Sequence, residues 1–388
     1  MIKKENQRLL ALDVLRGITI SGMILVNNPG SWGSIYAPLG HAEWNGLTPT
    51  DLVFPFFMFI MGISTYFSLR RYNFTFTKEA GKRILKRTLV IFAIGLGIAW
   101  FSLFLRTWNG LGSQELPFFE RLFESLFVFK NLRILGVMQR LSLTYGATAI
   151  IALTVNNRYI PHLIVGMLVT YAAILFFGNG FEYNETNILS IVDRAILGEN
   201  HMYKDNGIDP EGILSTLPAI AHVLLGFYIG KLFTKQPNNH LKVETLFIVG
   251  AILTFAGFLL SYGCPINKKI WSPTYVMVTC GLGSTLLALL IWIIDIKGYK
   301  KWSLFFESFG INPLFIYVTA SFLAICFGNL LIIPYGGKLL SIHNFTYNIV
   351  LKPIFGNYNG SLLYALLFVT LNWAIGYQLY KRKIYIKI

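Results

Sequence analysis

The sequence predicts an all-α membrane protein: a polytopic helix bundle with about ten transmembrane helices and both termini in the cytoplasm. Three observations carry this expectation. Of the 388 residues, 54% are hydrophobic and only 13% are charged, where an ordinary soluble domain has roughly 45–50% and about 25%; the mean hydropathy is +0.56. Apolar runs long enough to cross roughly 30 Å of hydrocarbon recur along the whole chain. The Lys and Arg residues are divided unevenly among the connections between those runs. This composition excludes a disordered chain and argues against a soluble enzyme, and no sustained strand alternation supports a β-barrel. Residues 1–388 are expected to form a single transmembrane domain.

The first run, 12–30, carries Asp13 and Arg16 and is followed by no small-residue cleavage site. It therefore reads as a retained membrane helix and not as a signal peptide. The second, 50–69, starts at a cluster of Thr and Asp and contains Pro55, which is expected to kink it. Further spans are expected at 86–105, 134–154, 160–178, 213–233, 245–262, 273–294, 309–330 and 361–380. The fourth opens with RILGVMQRL (133–141), which brings Gln139 and Arg140 into an otherwise apolar run. PFFERLFESLFVF (117–129) spaces charges among aromatics at helical intervals and reads as an interfacial helix, as does KLLSIHNFTYNIVLKPIF (338–355). The Gly-rich runs 95–97 and 281–283 read as close-packing positions between helices.

The formal net charge is +15, from 33 Lys and Arg against 18 Asp and Glu. In a soluble protein such an excess points to nucleic acid. Here, with the N-terminus placed in the cytoplasm, 21 of the cations fall in the inner connections and 10 in the outer ones, with Arg16 and Arg140 inside spans. The excess is thus topological, and no nucleic-acid partner is expected. The long loops, 30–49, 106–133, 179–212 and 331–360, all fall on the outer side, where function concentrates. The three cysteines have no metal-binding spacing and read as buried thiols; no EF-hand, HExxH, zinc or nucleotide-loop pattern is present, so no metal is expected.

Ionisable groups within spans point to function or to structural pairing. Asp13 and Arg16, three residues apart, share one helix face as an ion pair or as the polar wall of a site reached from the cytoplasm. The densest polar constellation is LGHAEWNGLTPTDLVFPFFMF (39–59), with His41, Glu43, Trp44, Asn45 and Asp51 just before and at the start of the second span. Asp51 suits a helix N-terminus as a cap. An imidazole at this membrane edge can serve as a general base, oriented by a carboxylate from Asp51 or Glu43. Asn27, Asn45 and Gln139 are candidates to stabilise an oxyanion. The acidic outer loop around His201, with Asp193, Asp205, Asp209 and Glu211, suits a cation or an amino-bearing ligand. His222, inside the sixth span, is either functional or hydrogen-bonded to a neighbouring helix.

Five stretches in order, LDVLRGITISGMILVN (12–27), HAEWNGLTPTDLVFPFFMFIMG (41–62), RILGVMQRL (133–141), DRAILGENHMY with DPEGILSTLPAI (193–220) and INKKIWSPTYV (266–276), resemble the heparan-α-glucosaminide N-acetyltransferase family; FGINPLFIYV (309–318) is a weaker sixth. The resemblance covers essentially the whole chain. It implies an enzyme that takes acetyl-CoA from the cytoplasm and passes the acetyl group across the bilayer to the amine of a terminal glucosamine. It puts the family's catalytic histidine on His41 and its conserved asparagine on Asn27. Two departures are evident: NPGSWGSIYAPLG (28–40) is longer than the family's Gly-rich stretch, and a His-Glu pair of the animal enzyme is replaced by Ala320 and Ser321.

On this reading the inner basic rim, Arg70, Arg71, Arg83 and Arg87, docks the phosphates of acetyl-CoA, together with Arg16, Gln139 and Arg140 along the path. Glu43, Trp44, Asp209 and Glu211 are the expected contacts of the acceptor glycan. His41 acts as general base or as a transient acetyl carrier. The alternatives are an O-acyltransferase of a cell-envelope glycan and a sugar transporter without transferase activity. The aromatic outer surfaces suggest a homodimer. The absence of a lumenal extension before the first span leads to the expectation of a bacterial inner membrane.

Overall fold

A computed structural model describes residues 9–386 apart from Glu115 and Lys204. Of the charges counted above, Lys3, Lys4, Glu5, Arg8, Glu115, Lys204 and Lys387 lie outside the described residues. The architecture is an all-α polytopic bundle. Its long helices are α1 (Leu10–Asn27), α2 (Pro49–Leu69), α3 (Lys78–Gly110), α5 (Val137–Thr154), α6 (Ile160–Phe177), α8 (Thr216–Thr234), α9 (Asn239–Leu260) and α10 (Pro273–Leu290), the last continued by π-helical turns over Ile291–Ile296. The ninth crossing is α12 (Pro313–Ile325), continued by π-helical turns to Leu330 and preceded by the short α11 (Ser303–Ile311), and the tenth is α15 (Asn357–Lys381). Shorter helices α4 (Phe118–Leu126) and α7 (Ile188–Leu197) lie in the long loops.

Among the described residues nine helices are long and apolar enough to cross a membrane; the remaining expected crossing is α5. Its Gln139, Arg140, Ser142, Thr144 and Thr148 make it too polar for lipid, and all five are buried against α2, α3 and α8. Ser142 Oγ donates to Thr88 O at 2.6 Å, so α5 borrows a carbonyl from α3. The two helices approach closely at Gly95, where a Cβ would lie 2.7 Å from Gln139 Oε1.

Two elements depart from the pattern read in the sequence. The run 309–330 is not one helix: Asn312 leaves helical geometry between α11 and α12 (φ −122°, ψ 53°). The residue before a proline is pushed from the α region, and Pro313 then starts the next helix with its missing N–H at no cost. Asn312 is reused as a clamp, donating from Nδ2 to Ile384 O at 2.8 Å and accepting from Ile386 N at 2.8 Å. The stretch 338–355 is not wholly helical either. Lys338–Ser341 pairs antiparallel with Ile332–Tyr335 in a hairpin around Gly336 and Gly337, both at positive φ. Helix follows only from α13 (Ile342–Asn344), through π turns over Phe345–Leu351, to α14 (Lys352–Phe355).

Alternating crossings sort the loops into two sets, and the contacts agree with that sorting. At one end Asn45 meets Asn267, Trp44 Nε1 donates to Phe181 O, Ile134 N to His201 O, and Gly30 N to Ser361 O. At the other, Lys231 Nζ donates to Asn157 O, and Asn312 holds the chain beyond α15.

Candidate active site

The site is built where the loop before α2 folds over that helix's first turn. Thr48 is the N-cap of α2, and Asp51 closes a reciprocal capping box: Asp51 N donates to Thr48 Oγ1 at 3.3 Å, and Thr48 N to Asp51 Oδ2 at 3.1 Å. Oδ2 also accepts from Ala42 N at 3.1 Å, which fixes the loop's return. Oδ1 accepts from His41 Nδ1 at 2.7 Å. Asp51 is buried, whereas the His41 side chain is 45% exposed. A carboxylate in this network can only accept, so the Nδ1 proton is committed to Asp51 and Nε2 is left as the basic, open nitrogen. The cap and the orienting carboxylate are therefore one residue. Glu43 is exposed and takes no part in this bond.

A cation arrives from the loop between α9 and α10. Lys268 Nζ lies 3.4 Å from Asp51 Oδ1 and 3.1 Å from His41 Nδ1. Burial pulls the Lys268 ammonium below the usual lysine range, and the charges of Asp51 and Glu211 push it back. Buried Asn267 shapes the loop: its Oδ1 accepts from Ile270 N at 3.1 Å and its Nδ2 donates to Asn45 Oδ1 at 3.1 Å. Trp271 holds φ at +53°, a left-handed backbone uncommon for an aromatic residue. Beside this group Trp44 stacks on Tyr183 at 4.5 Å, with Lys269 4.4 Å from the Tyr183 ring centre and 2.8 Å from Asp205.

The family model for heparan-alpha-glucosaminide N-acetyltransferase, catalytic, matches residues 8–262, which contain His41 and Asp51. The chain belongs to this family. It is similar to heparan-alpha-glucosaminide N-acetyltransferase of Mus musculus, with 26% identity over all of this chain and 61% of the mouse protein. It is similar also to the Homo sapiens protein of that name, with 27% identity over 80% of this chain and 52% of the relative. The chain thus spans about half to about three fifths of the length of these curated relatives. Lys268 and Asn267 lie beyond the matched residues, and sequence reasoning assigned them no role; the one signal was the family-like stretch INKKIWSPTYV itself.

In this family member the other sequence candidates separate into three groups. Arg133 Nη2 binds Asp209 Oδ1 at 2.5 Å and Glu211 Oε2 at 2.6 Å. Burial works against the Arg133 charge, yet Glu211 and Asp209 outweigh it and hold its pKa above the usual value. Asp209 is wholly buried and also accepts from Tyr203 N and Glu211 N, so its carboxylate is fully engaged. Glu211 retains partial exposure and acts on Lys268, which links this cluster to the His41 group.

Arg140 and Gln139 are buried near the same end. Arg140 Nη2 donates to Gly212 O at 3.0 Å and Ser215 Oγ at 2.5 Å, and its guanidinium lies 5.3 Å from the Trp271 ring centre. The remaining arginines are at the opposite end. Arg16 binds Asp13 at 2.8 Å, Ser64 Oγ at 2.8 Å and Gly310 O at 3.1 Å, tying α1 to α2 and α11. Arg70, Arg71 and Arg83 are exposed, and Arg87 packs over the Tyr145 ring at 4.6 Å. The seven residues expected along a CoA path therefore form two groups at two ends. Asn27 ends α1 with an exposed side chain and makes no hydrogen bond to the His41 group among the described residues. His222 is buried with Nε2 2.9 Å from Pro55 O, a helix–helix bond. No cluster of metal-ligating side chains occurs among the described residues.

Proposed function

We propose that the chain is an acetyl-CoA-dependent acetyltransferase of a bacterial inner membrane that acetylates the amine of a terminal glucosamine on the periplasmic side. The observation that carries this reading is the 2.7 Å bond from His41 Nδ1 to buried Asp51, which leaves Nε2 of a half-exposed side chain to act as a base. The N-in, C-in orientation follows from the inner excess of cations. It puts Arg70, Arg71, Arg83 and Arg87 in the cytoplasm, where a CoA phosphate docks, and His41 on the far side.

The acceptor amine attacks the thioester carbonyl while His41 Nε2 takes its proton. The C–N bond forms, the C–S bond breaks, and the leaving thiolate takes up the proton that His41 removed, which gives CoA thiol and restores the neutral imidazole. Asp51 stabilises the imidazolium, and the Lys268 ammonium 3.4 Å away offsets the negative charge of the buried carboxylate. The partly exposed Glu211 carboxylate and the Trp44–Tyr183 stack supply a charge and an aromatic face suited to an amino sugar.

The test is purified protein with acetyl-CoA, reading free thiol in parallel with glucosamine-ended heparin fragments, free glucosamine and hydroxyl-only acceptors. Amine-dependent thiol release is the expected result. Release with hydroxyl acceptors alone replaces the reading with an O-acyltransferase, and no release with any acceptor rejects it. Labelled acetyl-CoA without acceptor separates the two routes: stoichiometric label recovered on His41 favours an acetyl-histidine intermediate, and no label favours direct transfer.

A further inference from the structure

The position of Asp51 depends on a hydrogen bond that α2 cannot make for itself. Pro55 has no N–H, so the Asp51 carbonyl four residues earlier loses its helical donor. Within a membrane bundle such a carbonyl needs another partner. Tyr275 of α10 supplies it: its hydroxyl donates to Asp51 O at 2.6 Å, with both residues buried. Trp271 packs edge-on against Tyr275 at 5.1 Å and against Phe54 at 5.5 Å, which leaves the phenol little room to turn away. Ser272 caps α10, so Tyr275 sits one turn beyond the loop that carries Lys268. One bond therefore joins the helix that presents Asp51 to the helix that follows Lys268.

We propose that Tyr275 is a positioning residue for the His41–Asp51 pair, and that Pro55 is what makes it necessary. The inference rests on the acetyltransferase reading for its activity readout. Tyr275→Phe removes the donor and leaves the Asp51 carbonyl without one. Pro55→Ala restores an N–H at position 55, which reaches that carbonyl inside the helix. The hydroxyl should then matter only where Pro55 is present.

The experiment compares the full chain, Tyr275→Phe, Pro55→Ala and the double variant in detergent or nanodiscs. Two readouts are taken: steady-state acetyl transfer, and the rate at which diethylpyrocarbonate modifies His41, followed by peptide mass spectrometry. Tyr275→Phe is expected to lower kcat about tenfold, with an unchanged KM for acetyl-CoA and a slower modification of His41. In the Pro55→Ala background the same change should cost less than about twofold. Pro55→Leu supplies the same N–H if the alanine variant is unstable. An equal loss in both backgrounds, or wild-type kcat and His41 reactivity in Tyr275→Phe, overturns the proposal. No acetyl transfer by the parent chain rejects the activity alone, and the modification rates still decide for or against Tyr275.

Discussion

The two ends of the bundle hold charge in opposite ways. At the His41 end, Asp51 is buried, caps a helix, orients an imidazole and meets a lysine from another loop. At the other end, Arg70, Arg71 and Arg83 are exposed side chains with no ion pair among the described residues. A proton transfer needs atoms fixed to within about half an ångström. Attraction of a polyanion needs only a field, which mobile cations supply without fixed geometry. On the proposed reading, the fixed geometry of the first end serves the chemistry and the exposed charge of the second serves capture. That difference predicts single-residue sensitivity at the first and shared, additive dependence at the second.

The largest expected effect tests the first half directly. His41→Ala should reduce kcat by roughly 10²–10⁴, with the melting temperature unchanged because the side chain is half exposed. Near-wild-type turnover would remove the basis for the comparison. Asp51→Asn comes next, with a loss of about 10² in kcat, because an amide no longer fixes the Nδ1–H tautomer. Asn remains an adequate N3 neighbour of the Thr48 cap, so stability should fall by only about 1 kcal/mol. A stability loss large enough to explain the activity loss would make Asp51 a cap and nothing more.

The opposite end should answer differently. Arg70→Ala, Arg71→Ala or Arg83→Ala alone should raise KM for acetyl-CoA less than about threefold, as expected of exposed charges worth ~0.5 kcal/mol each. The triple variant should multiply the single effects, and the difference should shrink as salt rises toward 1 M, where the Debye length is about 3 Å. A single arginine that changes KM a hundredfold would mean that this end, too, holds a fixed site.

The same contrast explains what was legible in the sequence. Span positions follow from apolarity, which lipid reads residue by residue, so most helices lie near their expected places. The break at Asn312 escaped because an apolar run does not record whether Pro313 begins a helix or sits inside one. His41 and Asp51 are ten residues apart and joined through a local cap, so sequence narrowed the orienting carboxylate to Asp51 or Glu43. Lys268 comes from 227 residues away, and only the packing of α10 on α2 brings it in. Arg133 gave a similar difficulty: Asp209 and Glu211 read as an open acidic loop until a cation from another segment was found between them.

The smallest effect concerns the cost of burying charge at the His41 end. Asp193 lies under the loop at Gly212, so close that a Cβ there would sit 1.8 Å from Asp193 Oδ2. Oδ1 accepts from Ile213 N at 2.8 Å, while Oδ2 has no hydrogen-bond partner. Burial, more than any neighbour, raises the Asp193 pKa from 3.8 to about 6. A carboxyl group raised on folding contributes stability that is full below its unfolded pKa and is lost as pH rises through the folded one. The contribution therefore declines between pH 4 and 6 and is gone at neutral pH. Asp193→Asn keeps the Oδ1 acceptor and removes the ionisation. It should melt above the parent at pH 7.5 and converge on it as the pH is lowered toward 4, with kcat unchanged. A variant that melts below the parent at pH 7.5 would show that the Asp193 charge stabilises the fold, which would make buried charge at this end a source of stability as well as of chemistry.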